Sequence, residues 1–141
     1  MVEIFFMDIS NIRPSQLYIS KQKLNNIQIS LNLANPMLDN PLPIKKLNGR
    51  IIFVDGHTRA VAFYLLNQKT VPVYWEYEEL DWEMYEVCVQ WCIDEKILSV
   101  EELSQRIIPH TEYEQLWYKR CDELHASMEK QRSALSQNSK N

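Results

Sequence analysis

Ile51-Ile52-Phe53-Val54-Asp55-Gly56-His57-Thr58-Arg59-Ala60-Val61-Ala62-Phe63-Tyr64-Leu65-Leu66 is a strand that passes through one tight turn into a helix. Ile51 to Val54 are β-branched or aromatic in an unbroken run, Asp55-Gly56 turns the chain, and from Ala60 the apolar residues recur at helical spacing. The helix therefore starts between His57 and Arg59. Its first amides lack intrahelical partners and the helix dipole is positive there, so a phosphate or carboxylate fits that end. His57, Thr58 and Arg59 add an imidazole able to carry charge, a hydroxyl and a guanidinium fork matched to phosphate oxygens. The chain has only two glycines, Gly49 and Gly56, so a glycine at this turn is not background composition. The plain alternative is a strand-to-helix connection that needs φ > 0 at Gly56 and nothing more.

Working outward, Glu3 to Met7 reads as a first strand, and Ser20 caps a helix that buries Leu24, Ile27 and Leu31. Pro36, Pro41 and Pro43 end any helix before Ile44. Asn48-Gly49 between Ile44–Leu47 and Arg50–Val54 is a hairpin signal. Val71 to Trp75 is a further short strand, placed at a sheet edge by Pro72. Beyond it the character changes to helices: one capped by Asp81 and running to Asp94, one opened by the capping box Ser99-Val100-Glu101-Glu102, and one opened by Thr111-Glu112-Tyr113-Glu114 and ending near Glu129. The polar stretch from Gln131 reads as a disordered tail. The expected organisation is an α+β core over residues 1–76, a helical extension packed on it over 77–130, and a tail over 131–141.

With 141 residues the chain can bury one substantial core. No run approaches the roughly 20 consecutive apolar residues of a membrane helix, and the start Met1-Val2-Glu3-Ile4 lacks the basic residues of a signal peptide. Three cysteines without framework spacing suit a reducing compartment, so a cytoplasmic protein is expected. Residues 1–75 carry eight Lys/Arg against four acids, and residues 76–141 carry seven against fifteen. The basic half suits a nucleotide, while the acidic half argues against DNA as a partner.

Taken together, Ile9-x-x-Ile12-x-Pro14-x-Gln16 ahead of a helix with Leu24 and Ile27, Pro43-Ile44 opening a strand pair, and Ile52-x-Val54-Asp55-Gly56-His57-x-Arg59-x-x-Ala62 leading to Val71-Pro72-Val73 resemble the superfamily of ParB amino-terminal domains, sulfiredoxins and ADP-dependent free serine kinases. The resemblance covers residues 3–75 and is nearest in motif to the serine kinases. It implies a ParB/sulfiredoxin-like small mixed sheet with helices, with ATP, ADP or CTP and Mg²⁺ at this turn. Gly56, His57, Thr58, Arg59 and Gln16 would bind the ligand, and Asp55 and His57 would be the catalytic candidates. Sulfiredoxins use a Cys just before the His-Arg pair, where this chain has no Cys. The kinases place a Glu base before the Gln and a second His after the first, where this chain has Ser15 and Thr58. ParB proteins carry Gly-Glu-Arg-Arg at the turn, of which Gly56 and Arg59 survive. A binding or regulatory module is therefore expected ahead of a small-molecule kinase, with a ParB-like DNA-associated protein third.

Two further patterns carry chemistry. Cys88 and Cys92 on one helix and Cys121 and His125 on another have the spacing of paired ligands, but ordinary helix packing explains them better than zinc. Tyr74, Trp75, Tyr77, Trp82, Tyr85, Trp91, Tyr113, Trp117 and Tyr118 suit docking of helices onto a sheet, with a stacking platform for a base as the alternative.

Overall fold

The computed structural model describes residues 2–33 and 41–139. Strand β1 (Phe5–Asp8) runs into a 3₁₀ turn (Ile9–Asn11), then β2 (Ile19–Ser20) and α1 (Lys21–Leu33). The hairpin β3 (Leu42–Leu47) and β4 (Arg50–Phe53) leads to α2 (His57–Leu65) and β5 (Thr70–Trp75). The second half holds α3 (Trp82–Asp94), α4 (Val100–Leu103), β6 (Ile107–Ile108), α5 (His110–Tyr113), a π-helical turn (Glu114–Tyr118) and α6 (Lys119–Ser139). The fold is α+β: a mixed sheet in the order β1-β5-β3-β4, with β5 antiparallel to β1 and parallel to β3.

Local signals explain the hairpin and the helix starts. Asn48 and Gly49 both take positive φ, 51° and 77°, as a two-residue turn matching strand twist requires. Ser20 Oγ accepts from Lys23 N–H at α1, and the Asp81 carboxylate accepts from Met84 N–H at α3. At α4 the box is incomplete: Ser99 Oγ donates to Glu102, and Glu102 takes the Leu98 amide.

Four expectations are corrected. Strand β1 is shifted toward Asp8, whose carboxylate accepts from Ser10 N–H and starts the 3₁₀ turn. Strand β5 lies inside the sheet rather than at its edge. Pro72 is tolerated because it pairs with Phe6 of β1, whereas the parallel ladder to β3 begins only at Val73. Thr111 is not a cap, since the helix begins at His110 directly after Pro109, whose fixed φ suits that position. Finally, residues 131–139 are helical. Arg132 makes a two-pronged pair with Asp81, at 2.8 and 2.9 Å, which ties this last part of α6 to the start of α3.

The two halves share one core. Ile12, Leu17, Ile44, Phe53, Phe63 and Val73 cluster with Cys92, Ile97, Leu103, Tyr113 and Trp117. A parallel pairing of β2 with β6 adds backbone bonds between the halves. The segment after Ile12 is laid along β4 by Arg13, whose N–H donates to Ile51 O and whose carbonyl accepts from Phe53 N–H. That pairing delivers Ser15 and Gln16 to the start of α2.

Candidate anion site at the start of helix α2

Gly56 is the N-cap of α2, with φ 77° and ψ 23°, and as a glycine it has no side chain to cap the helix. The first helical bond runs from Ala60 N–H to Gly56 O, so the amides of His57, Thr58 and Arg59 precede the ladder. Gly56 is needed twice over. Its φ disfavours any L side chain, and a Cβ there would lie 2.8 Å from Leu42 Cδ2 and 2.9 Å from Arg59 Nη2. The second distance also locates the guanidinium: Arg59 folds back over its own turn, with Nη1 donating to Pro41 O at 3.3 Å.

A cleft of about 240 Å³ opens on this turn, lined by Gln16, Lys23, Asp55, Thr58, Arg59 and Tyr113 among others. Lys23 reaches it from α1. Its ammonium donates to Tyr118 Oη and lies 4.9 Å from the Tyr118 ring centre and 5.4 Å from that of Tyr113. Two cations and a positive helix end therefore converge on one cleft. Lys23 was not marked as a site residue by the sequence, and Tyr113 was offered only among the aromatic residues of the alternative stacking platform. Lys23 lies in the first turn of a separate helix and Tyr113 far along the chain, so no local spacing connects them to Gly56.

His57 departs from the cation expected of it. The ring is buried, and Ser15 N–H donates to Nε2 at 2.9 Å. A backbone amide can only donate, so Nε2 is unprotonated and the neutral ring carries its hydrogen on Nδ1. Burial holds the pKa down at about 4, with Asp55 pulling weakly the other way. At neutral pH His57 is an uncharged acceptor that pins the Ser15 segment to α2. Ser15 Oγ in turn donates to Phe53 O at 2.8 Å.

Asp55 is exposed, and its Oδ1 accepts from Gly56 N–H at 2.8 Å. Gln16 sits in the cleft wall with its amide nitrogen donating to Tyr18 O at 2.8 Å and to Tyr113 Oη at 3.1 Å. Both amide hydrogens are thereby used, so Gln16 shapes the cleft rather than donating to a ligand. The cysteines do not gather with His125: among the described residues no group of three or more His, Cys, Asp or Glu side chains is placed to hold a metal. Burial pushes the thiols of Cys88 and Cys92 up to about 12, and Cys92 donates to Gln16 O. A second cavity, about 440 Å³ at the far end of α2, joins Lys69 to Asp8 and so lacks a cationic surplus.

No protein-family model matches the chain, and no curated protein matches it. Among solved structures it is similar to a Pnob8-like ParB-N domain, with 14% identity and a TM-score of 0.47 over 100% of this chain and 52% of that one. It is also similar to C-terminally truncated SbnI from Staphylococcus aureus, with 20% identity and a TM-score of 0.46 over 53% of this chain and 31% of that one. A third, a protein of Agrobacterium tumefaciens, gives 13% identity and a TM-score of 0.46 over 70% and 50%. The chain spans about half the length of these structures or less, and the chemistry of its site rests on its own geometry. Among the described residues no helix is long and apolar enough to cross a membrane.

Proposed function

We propose that this protein binds a nucleotide or another small phosphorylated ligand in the cleft between α1 and the start of α2, as a binding or regulatory module. The observation that carries this reading is the convergence of Arg59, folded onto Gly56, and Lys23 on a helix N-terminus whose cap residue has no side chain. The free amides and the guanidinium would take phosphate oxygens, Thr58 would donate its hydroxyl, and Lys23 would add a point charge.

Phosphoryl transfer from ATP or ADP has less support. The position at which the resembling kinases carry a Glu base is Ser15, a buried hydroxyl already donating to Phe53 O, and a hydroxyl holds its proton too tightly to serve as a base near neutral pH. Among the described residues Asp55 is the one carboxylate lining the cleft; with Mg²⁺ it would be a ligand for the ion, and alone it would orient ligand hydroxyls. A DNA-associated role is disfavoured by Glu112 and Glu114, which open the helices after Pro109 and would repel backbone phosphates.

Thermal unfolding in the presence of ATP, ADP, CTP or pyrophosphate, each with and without Mg²⁺, tests the reading. A ligand of the folded state at 100 times its Kd stabilises by about 2.7 kcal/mol, so at least one of these compounds should raise the Tm without being consumed. Absence of any shift at millimolar concentration would contradict binding, and steady hydrolysis or transfer would restore the kinase.

A further inference from the structure

We propose that the cavity at the far end of α2 binds a free amino acid with an apolar side chain, its ammonium set toward Asp8, its carboxylate toward Lys69 and its side chain against Ile9, Tyr64 and Leu65. This second site stands on observations of its own and does not depend on the phosphate reading of the turn at Gly56.

The cavity holds about 440 Å³, inside the range of roughly 300–1,000 Å³ that small-molecule sites occupy. Its walls are tied by the fold. Ile9 N–H donates to Lys69 O at 2.9 Å, which fixes the turn after β1 against the stretch after α2. That stretch is bent back by Asn67, whose φ of 61° is the left-handed form in which helices commonly end. Asn67 N–H then donates to Tyr64 O and Gln68 N–H to Phe63 O, so the last turn of α2 is closed.

Two opposite charges line this one space without neutralising each other. Among the described residues no ion pair joins Asp8 to Lys69. The Asp8 carboxyl is held below its ordinary value by the Ser10 hydroxyl and amide first and by Lys69 more weakly, so the ammonium is near without touching. Asp8 uses Oδ1 for both bonds from Ser10, which leaves Oδ2 for a ligand. Lys69 Nζ has no hydrogen-bond partner among the described residues. A simple cation would be repelled by Lys69 and a simple anion by Asp8, whereas a molecule with one charge of each sign satisfies both. The carbonyl end of α2, negative by its dipole, adds to Asp8 in favouring an ammonium. The rest of the wall is apolar: Ile9 is buried, Tyr64 half-buried, and Leu65 is 44% exposed. An apolar side chain laid on Tyr64 and Leu65 removes that surface from water, which a small polar amino acid cannot do.

The test is equilibrium titration of the full chain with L-phenylalanine, phenethylamine, 3-phenylpropionate and L-serine. Phenethylamine lacks the carboxylate and 3-phenylpropionate the ammonium, so each should bind at least about tenfold more weakly than phenylalanine, the loss of one charge-assisted hydrogen bond. Serine keeps both charges without the apolar side chain and should be weaker by a similar factor of about ten. Lys69→Gln should weaken phenylalanine about tenfold and leave phenethylamine unchanged. Asp8→Asn, which keeps an acceptor for Ser10, should weaken phenylalanine by a similar factor and not weaken 3-phenylpropionate. Both positions are exposed, and a cooperative unfolding transition in each variant confirms that it is folded. Equal affinity for phenylalanine and any of the other three compounds, or phenylalanine binding that survives both substitutions, overturns the proposal. Absence of phenylalanine binding at millimolar concentration overturns it as well, and leaves the phosphate cleft untouched.

Discussion

Gly56→Ala should destabilise the protein by about 2–5 kcal/mol, the sum of a left-handed backbone cost of about 1–2 kcal/mol and an overpacking cost of about 1–3 kcal/mol. The first contribution arises because φ is 77° at Gly56; the second because the new Cβ would meet Leu42 Cδ2 at 2.8 Å. Leu42 is fully buried and has little room to retreat. Gly49→Ala is the internal control. Gly49 has the same φ of 77° with nothing within 4 Å of the added atom, so it should lose only the backbone part, about 1–2 kcal/mol. Denaturant unfolding of the two variants separates the contributions. Gly56→Ala should also weaken ligand binding, because the same Cβ displaces Arg59 Nη2. Equal losses in the two variants would mean that the close packing at Gly56 has no energetic weight.

The second large effect is a pH dependence. His57 titrates near 4 in the folded protein against an ordinary 6.5, because burial disfavours the charged ring. Where the unfolded chain binds a proton that the folded chain refuses, stability falls with falling pH. The contribution is therefore complete above about pH 6.5, declines through the window down to about 4, and is flat below it. The 2.5-unit difference corresponds to about 3 kcal/mol. The carboxylates of Asp8 and Asp81, held below 3.8 by their hydrogen bonds from Ser10 and Arg132, lose their contribution as pH falls below that value. His57→Gln keeps an acceptor for Ser15 N–H but removes the titration. Urea midpoints of this variant should be nearly level between pH 6.5 and 4.5, whereas the wild type should lose stability steadily over the same range. Parallel profiles would show that His57 is not the buried neutral group described above.

The features legible in the sequence are those written within a few residues of chain. Asn48-Gly49 specifies a turn whose two residues both need positive φ, and Gly56 ahead of Ala60-Val61-Ala62 marks a helix start; both stand where the spacing predicts. The Asp81 cap is of the same kind. Pro72 misled because the rule for proline in strands concerns one missing N–H, and whether that N–H is missed depends on where β3 begins its ladder. The helix beyond Glu129 misled because composition alone does not register Arg132 gripping Asp81 across the fold. In the site, Gly56, Thr58 and Arg59 were marked by their place at a helix end. Lys23 reaches the cleft from α1 and Tyr113 from α5, a contribution of tertiary structure that local periodicity does not encode. His57 was visible as a residue but not as a neutral one, since its charge state follows from burial and from the Ser15 amide.

The most direct test of an anion site at this turn is calorimetric titration of pyrophosphate into the wild-type protein and Arg59→Ala at fixed, moderate ionic strength. Arg59 is partly exposed and packs on a turn that Gly56 shapes, so the variant should fold. Loss of a guanidinium paired with phosphate oxygens should weaken binding by about tenfold or more, with the remaining affinity carried by Lys23 and the α2 amides. Indistinguishable affinities, or no heat from either protein, would contradict the claim that Gly56-His57-Thr58-Arg59 grips a negatively charged group.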